Sequence, residues 1–262
     1  MIRTTIEKGI ATLTLDNPER KNALSAAALA AFADAIEALR RDATVRALIL
    51  TGAGGEFCSG GDVSAMQGPA DTAAVRRRMI ESQRPCAALA TFDKPVIAAV
   101  DGVAYGAGFS IALMADFIVA SERARFCLAF ARMGLVPDLG ALHTLPRIIG
   151  AQRTRELVYS ARELPALEAQ ALGIVLEVVP ADALGARAHE LALAMSAQSP
   201  DAFAMTKRLL AQTFERDFGA LLDAEAGAQA IALTSPYLRE AAARFARKEA
   251  PLFRWPRNDR EA

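Results

Sequence analysis

The residues of this chain best suited to chemistry lie in two glycine-rich turns. The first, Gly52 to Asp62, reads GAGGEFCSGGD; the second, Asp101 to Gly108, reads DGVAYGAG. Each follows an apolar run (Ala47 to Leu50; Pro95 to Val100) and leads into a segment of helical pattern. Strand, glycine turn and helix start is the arrangement that aims backbone N–H groups at an anion. Two such turns can each lend one N–H to a single developing oxyanion, such as the enolate of a thioester. That chemistry needs no metal, serine nucleophile or dinucleotide. The same glycines also have a plain structural reading, as tight turns that require positive φ.

The elements that must position these turns alternate along the chain. Two β-like runs, Arg3 to Glu7 and Ile10 to Leu15, flank a Lys8-Gly9 hairpin turn. A polar turn at Asp16 to Asn22 precedes an alanine-rich helix that starts at a Ser25 cap and runs to about Arg40. Arg46 to Thr51 is the next strand. A helix begins at Asp62 to Ala65, a loop follows at Pro69 to Asp71, and a helix is expected over Thr72 to Thr91. Then come a strand at Pro95 to Val100, a helix at Phe109 to Ala115, a strand at Phe117 to Ala120 and an extended piece at Ala124 to Phe126. Helices are expected at Ala141 to Ile149, Gln152 to Ser160 and Ala166 to Ala171, with a strand at Ile174 to Val179. From Ala181 onward the pattern is nearly all helical. This is an α/β chain followed by an α appendage, divided as residues 1–195 and 196–262.

Composition narrows the function class. The 262 residues are 53 % hydrophobic and 23 % charged, with a formal net charge of +0, which suits a well-filled globular core. No basic stripe with interleaved aromatics points to nucleic acid; Arg76-Arg77-Arg78 reads as a solvated helix face. Three cysteines without CxxC spacing argue against a disulfide framework and fit a reducing cytoplasm. Two histidines, His143 and His189, form no metal-binding pattern, and His143 reads as an ordinary, partly buried residue. The N-terminus has no signal-peptide pattern, and the apolar stretch from Pro95 to Ala120 is broken by Asp101, Gly102 and Asp116, unlike a membrane span. Asp101 and Asp116 read as structural, and Cys58 as a small buried filler.

Five pieces in order carry a resemblance to a known family. Asp16-Asn17-Pro18-Glu19-Arg20-Lys21-Asn22-Ala23-Leu24, Phe57-Cys58-Ser59-Gly60-Gly61-Asp62, Ala99 to Gly108, Ala115 to Ala120 with Arg125-Phe126, and Gly134-Leu135-Val136-Pro137-Asp138 with Leu145-Pro146-Arg147 stand in sequence. Over nearly its full length the chain resembles the enoyl-CoA hydratase/isomerase (crotonase) superfamily. The resemblance implies a spiral of ββα repeats with a C-terminal helical region that packs a homotrimer or a dimer of trimers. It implies an acyl-CoA thioester as substrate, CoA being part of that substrate rather than a separate cofactor. It assigns the oxyanion donors to Gly61 and Ala107 and places Ala23, Ser59, Asp62 and Val63 near the adenine end of CoA. Lys21 and a tail that includes Phe245, Lys248 and Phe253 are its candidates for nucleotide contacts.

Departures from the family pattern bear on the reaction. The two hydratase glutamates fall at Ser110 and Phe130 in this chain, and neither can activate water. Ser110 reads as a helix cap or as a hydrogen-bonding contact to the substrate and Phe130 as an apolar wall, while Tyr105 packs between turns or lines the acyl pocket. Asp138 stands where a subset of Δ3,Δ2-enoyl-CoA isomerases, including the 1,2-epoxyphenylacetyl-CoA isomerase type, carries its acid/base. Its other reading is turn chemistry, Pro-Asp before Leu-Gly. Ala141-Leu142 replaces the usual small residues after Gly140, which bears on acyl size. Pocket shape also depends on the Met66 to Pro85 region. Three readings follow: an acyl-CoA isomerase using Asp138, an atypical hydratase, and a catalytically silent acyl-CoA-binding protein.

Overall fold

Alternating side chains on parallel strands set the architecture. The structure, a computed structural model, describes residues 2–63 and 71–256. Strands β1 (Ile2–Glu7) and β2 (Ile10–Leu15) form an antiparallel hairpin, with Lys8 and Gly9 both at positive φ. Helix α1 (Ala26–Arg41) is capped by the Ser25 side chain, which accepts from the Ala28 amide, and it buries Leu29, Phe32, Ala33, Ile36 and Leu39 at helical spacing. Strand β3 (Ala47–Gly52) pairs parallel with β2. Helices α2 (Thr72–Ser82) and α3 (Arg84–Ala90) lead to β4 (Val96–Val100), β5 (Val103–Tyr105) and the short α4 (Ala107–Ala112). The next turn repeats this order: β6 (Phe117–Ser121), β7 (Arg125–Cys127), a 3-10 turn at Ala129–Met133 and α5 (Ala141–Ser160). β8 (Leu164–Pro165), α6 (Ala166–Ala171), β9 (Glu177–Val179) and α7 (Leu184–Ser196) complete the core.

The strands fall into two sheets. Six pair in the order β1-β2-β3-β4-β6-β9 and three in the order β5-β7-β8. Each of the pairs β4–β5 and β6–β7 therefore gives one strand to each sheet before its helix, which is the spiral of ββα repeats. Neighbouring residues of β3 serve opposite faces. Leu48 and Leu50 join Phe32, Phe57, Phe109 and Phe126 on one side, whereas Ala47 and Ile49 pack with Leu184, Ala188, Leu191 and Met195 of α7 on the other. A sheet covered on both faces needs the nearly continuous apolar strands seen here.

Helices α8 (Pro200–Ala211), α9 (Phe218–Leu233) and α10 (Pro236–Ala246) follow. Lys207 of α8 anchors them to the core through Asp116, whose carboxylate also accepts from the Val96 amide, each at 2.8 Å. No residue of α9 or α10 is buried within the chain. The tail returns to the core at Trp255, edge-on to Phe117 with ring centroids 5.4 Å apart.

Several local expectations are corrected. The single helix expected over Thr72 to Thr91 breaks at Gln83, where Arg84-Pro85 starts α3: proline at the second position donates no amide hydrogen bond to a preceding turn. The pair of helices expected in 141–160, by contrast, stands: α5 is two helical runs separated at Gly150, whose φ 77° and ψ 162° are non-helical. The strand expected over Ile174 to Val179 is limited to Glu177–Val179. Val103–Tyr105, read as part of a turn, is a strand. The helix start at Asp62 to Ala65 and the loop from Pro69 lie mostly outside the described residues, as does the Met66 end of the expected pocket wall. Among the described residues, no helix is long and apolar enough to cross a membrane, and no three His, Cys, Asp or Glu side chains are grouped to hold a metal.

Candidate active site

The two glycine turns, about forty residues apart in sequence, meet in space. Cys58 donates its amide to the Val103 carbonyl (2.8 Å), and Tyr105 donates to the Cys58 carbonyl (2.9 Å). On its other side the first turn pairs with the early loop: Leu24 donates to Gly60 and Asp62 donates to Leu24, at 2.8 and 2.9 Å. Two glycines make this approach possible. A Cβ on Gly108 would overlap the Cys58 carbonyl and lie 2.7 Å from the Cys58 Cβ. A Cβ on Gly60, at φ +107°, would lie 3.0 Å from the Tyr105 oxygen and 3.7 Å from the Ala107 nitrogen.

Gly61 follows Gly60 directly, and Ala107 opens α4, so its amide is one of the helix's unpaired N-terminal donors. Neither the Gly61 nor the Ala107 amide has an acceptor among the described residues. Two free donors on abutting turns can jointly receive an anionic oxygen.

The early loop is locked by Asn22, which is buried and left-handed (φ 57°). Its side-chain amide donates to the carbonyls of Ala53 (2.9 Å) and Glu56 (2.7 Å), and its oxygen accepts from the Asn17 amide (2.9 Å). This lock brings most of the CoA-side candidates together. The Ser59 amide donates to the Lys21 carbonyl (2.9 Å), and Arg20, next to Lys21, pairs with Asp62 (3.1 Å). Ala23 lies between the buried Asn22 and Leu24, and Val63 is half exposed just past Asp62. Phe245 and Lys248 are not joined to this cluster: among the described residues no hydrogen bond, ion pair or ring contact links either to it, and Phe245 is 85 % exposed.

Asp138 sits in a strained turn. Leu139 (φ 51°) and Gly140 (φ 84°) are consecutive left-handed residues, and Leu139 is buried despite its side chain. The Cys86 thiol of α3 donates to the Leu139 carbonyl at 3.2 Å. Burial, and then the charge of Asp138, push that thiol up to about 12, so it remains a donor. The same kind of burial raises the Asp138 carboxyl above its ordinary range, and its Oδ1 is buried with no hydrogen-bond partner. A Cβ on Gly140 would meet the Met114 sulfur at 3.3 Å, so this turn backs the C-terminal end of α4 while Ala107 opens the other end.

The two positions that differ from the hydratase pattern are both apolar in effect. Ser110 is fully buried inside α4, not at its cap, and donates to the Gly106 carbonyl at 3.1 Å. Phe130 is buried with its ring 3.8 Å from where a Gly106 Cβ would stand. Tyr105 donates its hydroxyl to Glu163. Asp101 accepts from Ser121 (2.6 Å), from Arg123 (2.7 Å) and from the Gly102 amide, a structural role as expected. Cys58 is fully buried and its thiol donates to the Asn22 carbonyl. His143, expected to be partly buried, is exposed. It borders a cavity of about 760 Å³ with Met114, Arg147, Phe214 and Trp255. Asn22, Glu56 and Cys86 escaped sequence reasoning as contributors to the site, although Asn22 and Glu56 stood in segments already singled out.

Comparison with known proteins agrees with this fold. The family model described as enoyl-CoA hydratase/isomerase matches residues 5–256. The chain is 34 % identical over 252 residues to the 1,2-epoxyphenylacetyl-CoA isomerase of Escherichia coli (strain K12), covering 95 % of this chain and 96 % of that one. It is 37 % identical over 257 residues to a probable enoyl-CoA hydratase of Rhodobacter capsulatus, covering 96 % and 97 %. The crystal structure of an enoyl-CoA hydratase/isomerase from Cupriavidus metallidurans CH34 superposes with a TM-score of 0.93 at 37 % identity, covering 98 % of each chain. With the fold, the paired turns and these matches in agreement, the chain belongs to the enoyl-CoA hydratase/isomerase (crotonase) family.

Proposed function

We propose that this crotonase-family enzyme is an acyl-CoA isomerase that moves a double bond, or opens a ring, through an oxyanion-stabilised enolate. The Gly61 and Ala107 amides receive the thioester oxygen, and Asp138 is the acid/base. On a 3-enoyl thioester the ionised carboxylate takes a proton from C2, and the electron pair delocalises onto the thioester oxygen. The protonated carboxyl then returns the proton to C4, giving the conjugated 2-enoyl thioester with no net gain or loss of atoms. Burial that raises the carboxyl makes it a stronger base, and one base suffices for both transfers.

The observation that carries this reading is the buried, unpartnered Oδ1 of Asp138, in a site whose hydratase positions hold Ser110, tied to Gly106, and Phe130. Lys21, Ala23, Ser59, Asp62 and Val63 form the CoA side, Phe130 the apolar wall. Phe245 and Lys248 reach the nucleotide only from a neighbouring subunit. A homotrimer or dimer of trimers would supply that neighbour, supported by α9, which exposes Phe218, Leu222, Ile231 and Leu233 with no residue buried.

The test is incubation with a 3-enoyl-CoA in deuterated water. Conjugation with label at C2 and C4 is the expected result; no conjugation and no exchange would reject the isomerase. Relatives named as hydratases favour a second reading, water addition to a 2-enoyl-CoA. Hydration of crotonyl-CoA that survives Asp138→Asn would select it.

A further inference from the structure

Glu56 stands in the first glycine turn, and its side chain crosses to the second. Its Oε2 accepts the Val103 amide at 2.6 Å, and its Oε1 pairs with Lys21 Nζ at 3.0 Å. Its own backbone carbonyl is held by Asn22 at 2.7 Å. The second turn is shaped around this carboxylate: a Cβ on Gly102, at φ +57°, would overlap Glu56 Oε2. The next rungs of the same ladder are purely backbone, Cys58 to Val103 and Tyr105 to Cys58. Two residues beyond Tyr105 comes the free amide of Ala107. Glu56 is therefore the side-chain rung that starts the contact between the turns, and it also restrains the one lysine of the early loop.

We infer that Glu56 is a positioning residue that sets the relative placement of the Gly61 and Ala107 amides and holds Lys21 beside the first turn. For catalysis this rests on the isomerase reading; for the geometry of the turns it does not. A charge-assisted acceptor for a backbone N–H is among the stronger hydrogen bonds, and the Val103 amide has no other acceptor among the described residues. Its loss lets residues 103–107 move, and oxyanion donors displaced by fractions of an ångström lose transition-state contacts before they lose binding.

Three variants separate the roles. Glu56→Gln keeps an acceptor oxygen for Val103 and loses the Lys21 ion pair. Glu56→Asp keeps the charge but is one methylene too short to reach. Glu56→Ala loses both. Amide hydrogen exchange of Val103 to Ala107 in the free protein is expected to quicken at least tenfold in the Ala and Asp variants and to stay near wild type in Gln, all with similar melting temperatures. With the acyl-CoA that the wild type turns over, Ala and Asp should lose tenfold or more in kcat with KM changed less than threefold. Gln should keep kcat and lower KM two- to fivefold, because Lys21 is released and a negative charge is removed beside the CoA phosphates. Unchanged exchange in the Ala and Asp variants would overturn the inference, whatever their activity. Should Ala fail to fold, the Asp and Gln pair decides. A wild type that turns over no acyl-CoA would reject the isomerase reading, while the exchange measurements still judge Glu56.

Discussion

Replacing Asp138 by asparagine should separate activity from stability in opposite directions. The carboxyl is raised by burial, no cation pairs with it among the described residues, and its Oδ1 has no hydrogen-bond partner. Ionising it in the folded protein therefore costs free energy that the unfolded chain does not incur. For an acid whose folded pKa lies above the unfolded one, the native state holds the proton to higher pH. Stability is then highest below the unfolded value of about 3.9, falls as pH rises toward the folded value, and is level beyond it. The asparagine of the variant never ionises and escapes that loss. A buried, unpartnered polar atom costs about 1–3 kcal/mol, and the amide still carries one, so the expected gain at pH 7 is on the order of 1 kcal/mol. As the only base in the proposed mechanism, the carboxylate would contribute about 10²–10⁴-fold, equivalent to about 3–5 kcal/mol of barrier. Wild-type kcat/KM should rise with pH through the raised pKa and then level, since the base must be ionised. The assay is isomerisation of a 3-enoyl-CoA beside urea melts at pH 4 and pH 7. Turnover within about threefold of wild type, or a variant less stable than wild type at pH 7, would refute the argument.

Other expectations follow from packing and charge. Gly108→Ala places a Cβ against the Cys58 backbone and should cost about 1–3 kcal/mol with loss of turnover, checked by denaturant melts and kcat; a neutral variant would mean that the turns do not touch. Arg187→Ala breaks a mostly buried ion pair, removing two 2.7 Å bonds to the Glu177 carboxylate at a site where both side chains are only 10 % exposed. The expected loss is about 3–5 kcal/mol by urea denaturation. If the proposed trimer packs through α9, Phe218→Asp should lower the mass measured by light scattering toward that of a monomer, and an unchanged mass would place any interface elsewhere. Cys86→Ala removes the donor to the Leu139 carbonyl. It should lower kcat more than it raises KM, and Cys86→Ser should restore most of the loss.

Short-range signals are legible in the sequence because they are local in their physics. Ser25 caps α1 by reaching three residues ahead, Lys8-Gly9 turns a hairpin within two residues, and alternation in β3 sorts Leu48 and Leu50 from Ala47 and Ile49. The glycine turns after β3 and β4 are readable for the same reason, and the order of the motifs identifies the family. Val103–Tyr105 escapes because three residues are too few for a period. His143 escapes because helix periodicity around Pro146 and Gly150 does not show which face the fold covers. What only the tertiary structure decides is how distant segments complete the site. Glu56 reaches Val103 across 47 positions, and Cys86 reaches Leu139 across 53. Such contacts carry no periodic or compositional trace. A single hydrogen bond between remote residues depends on how whole sheets and helices pack, and that packing is a property of the entire chain.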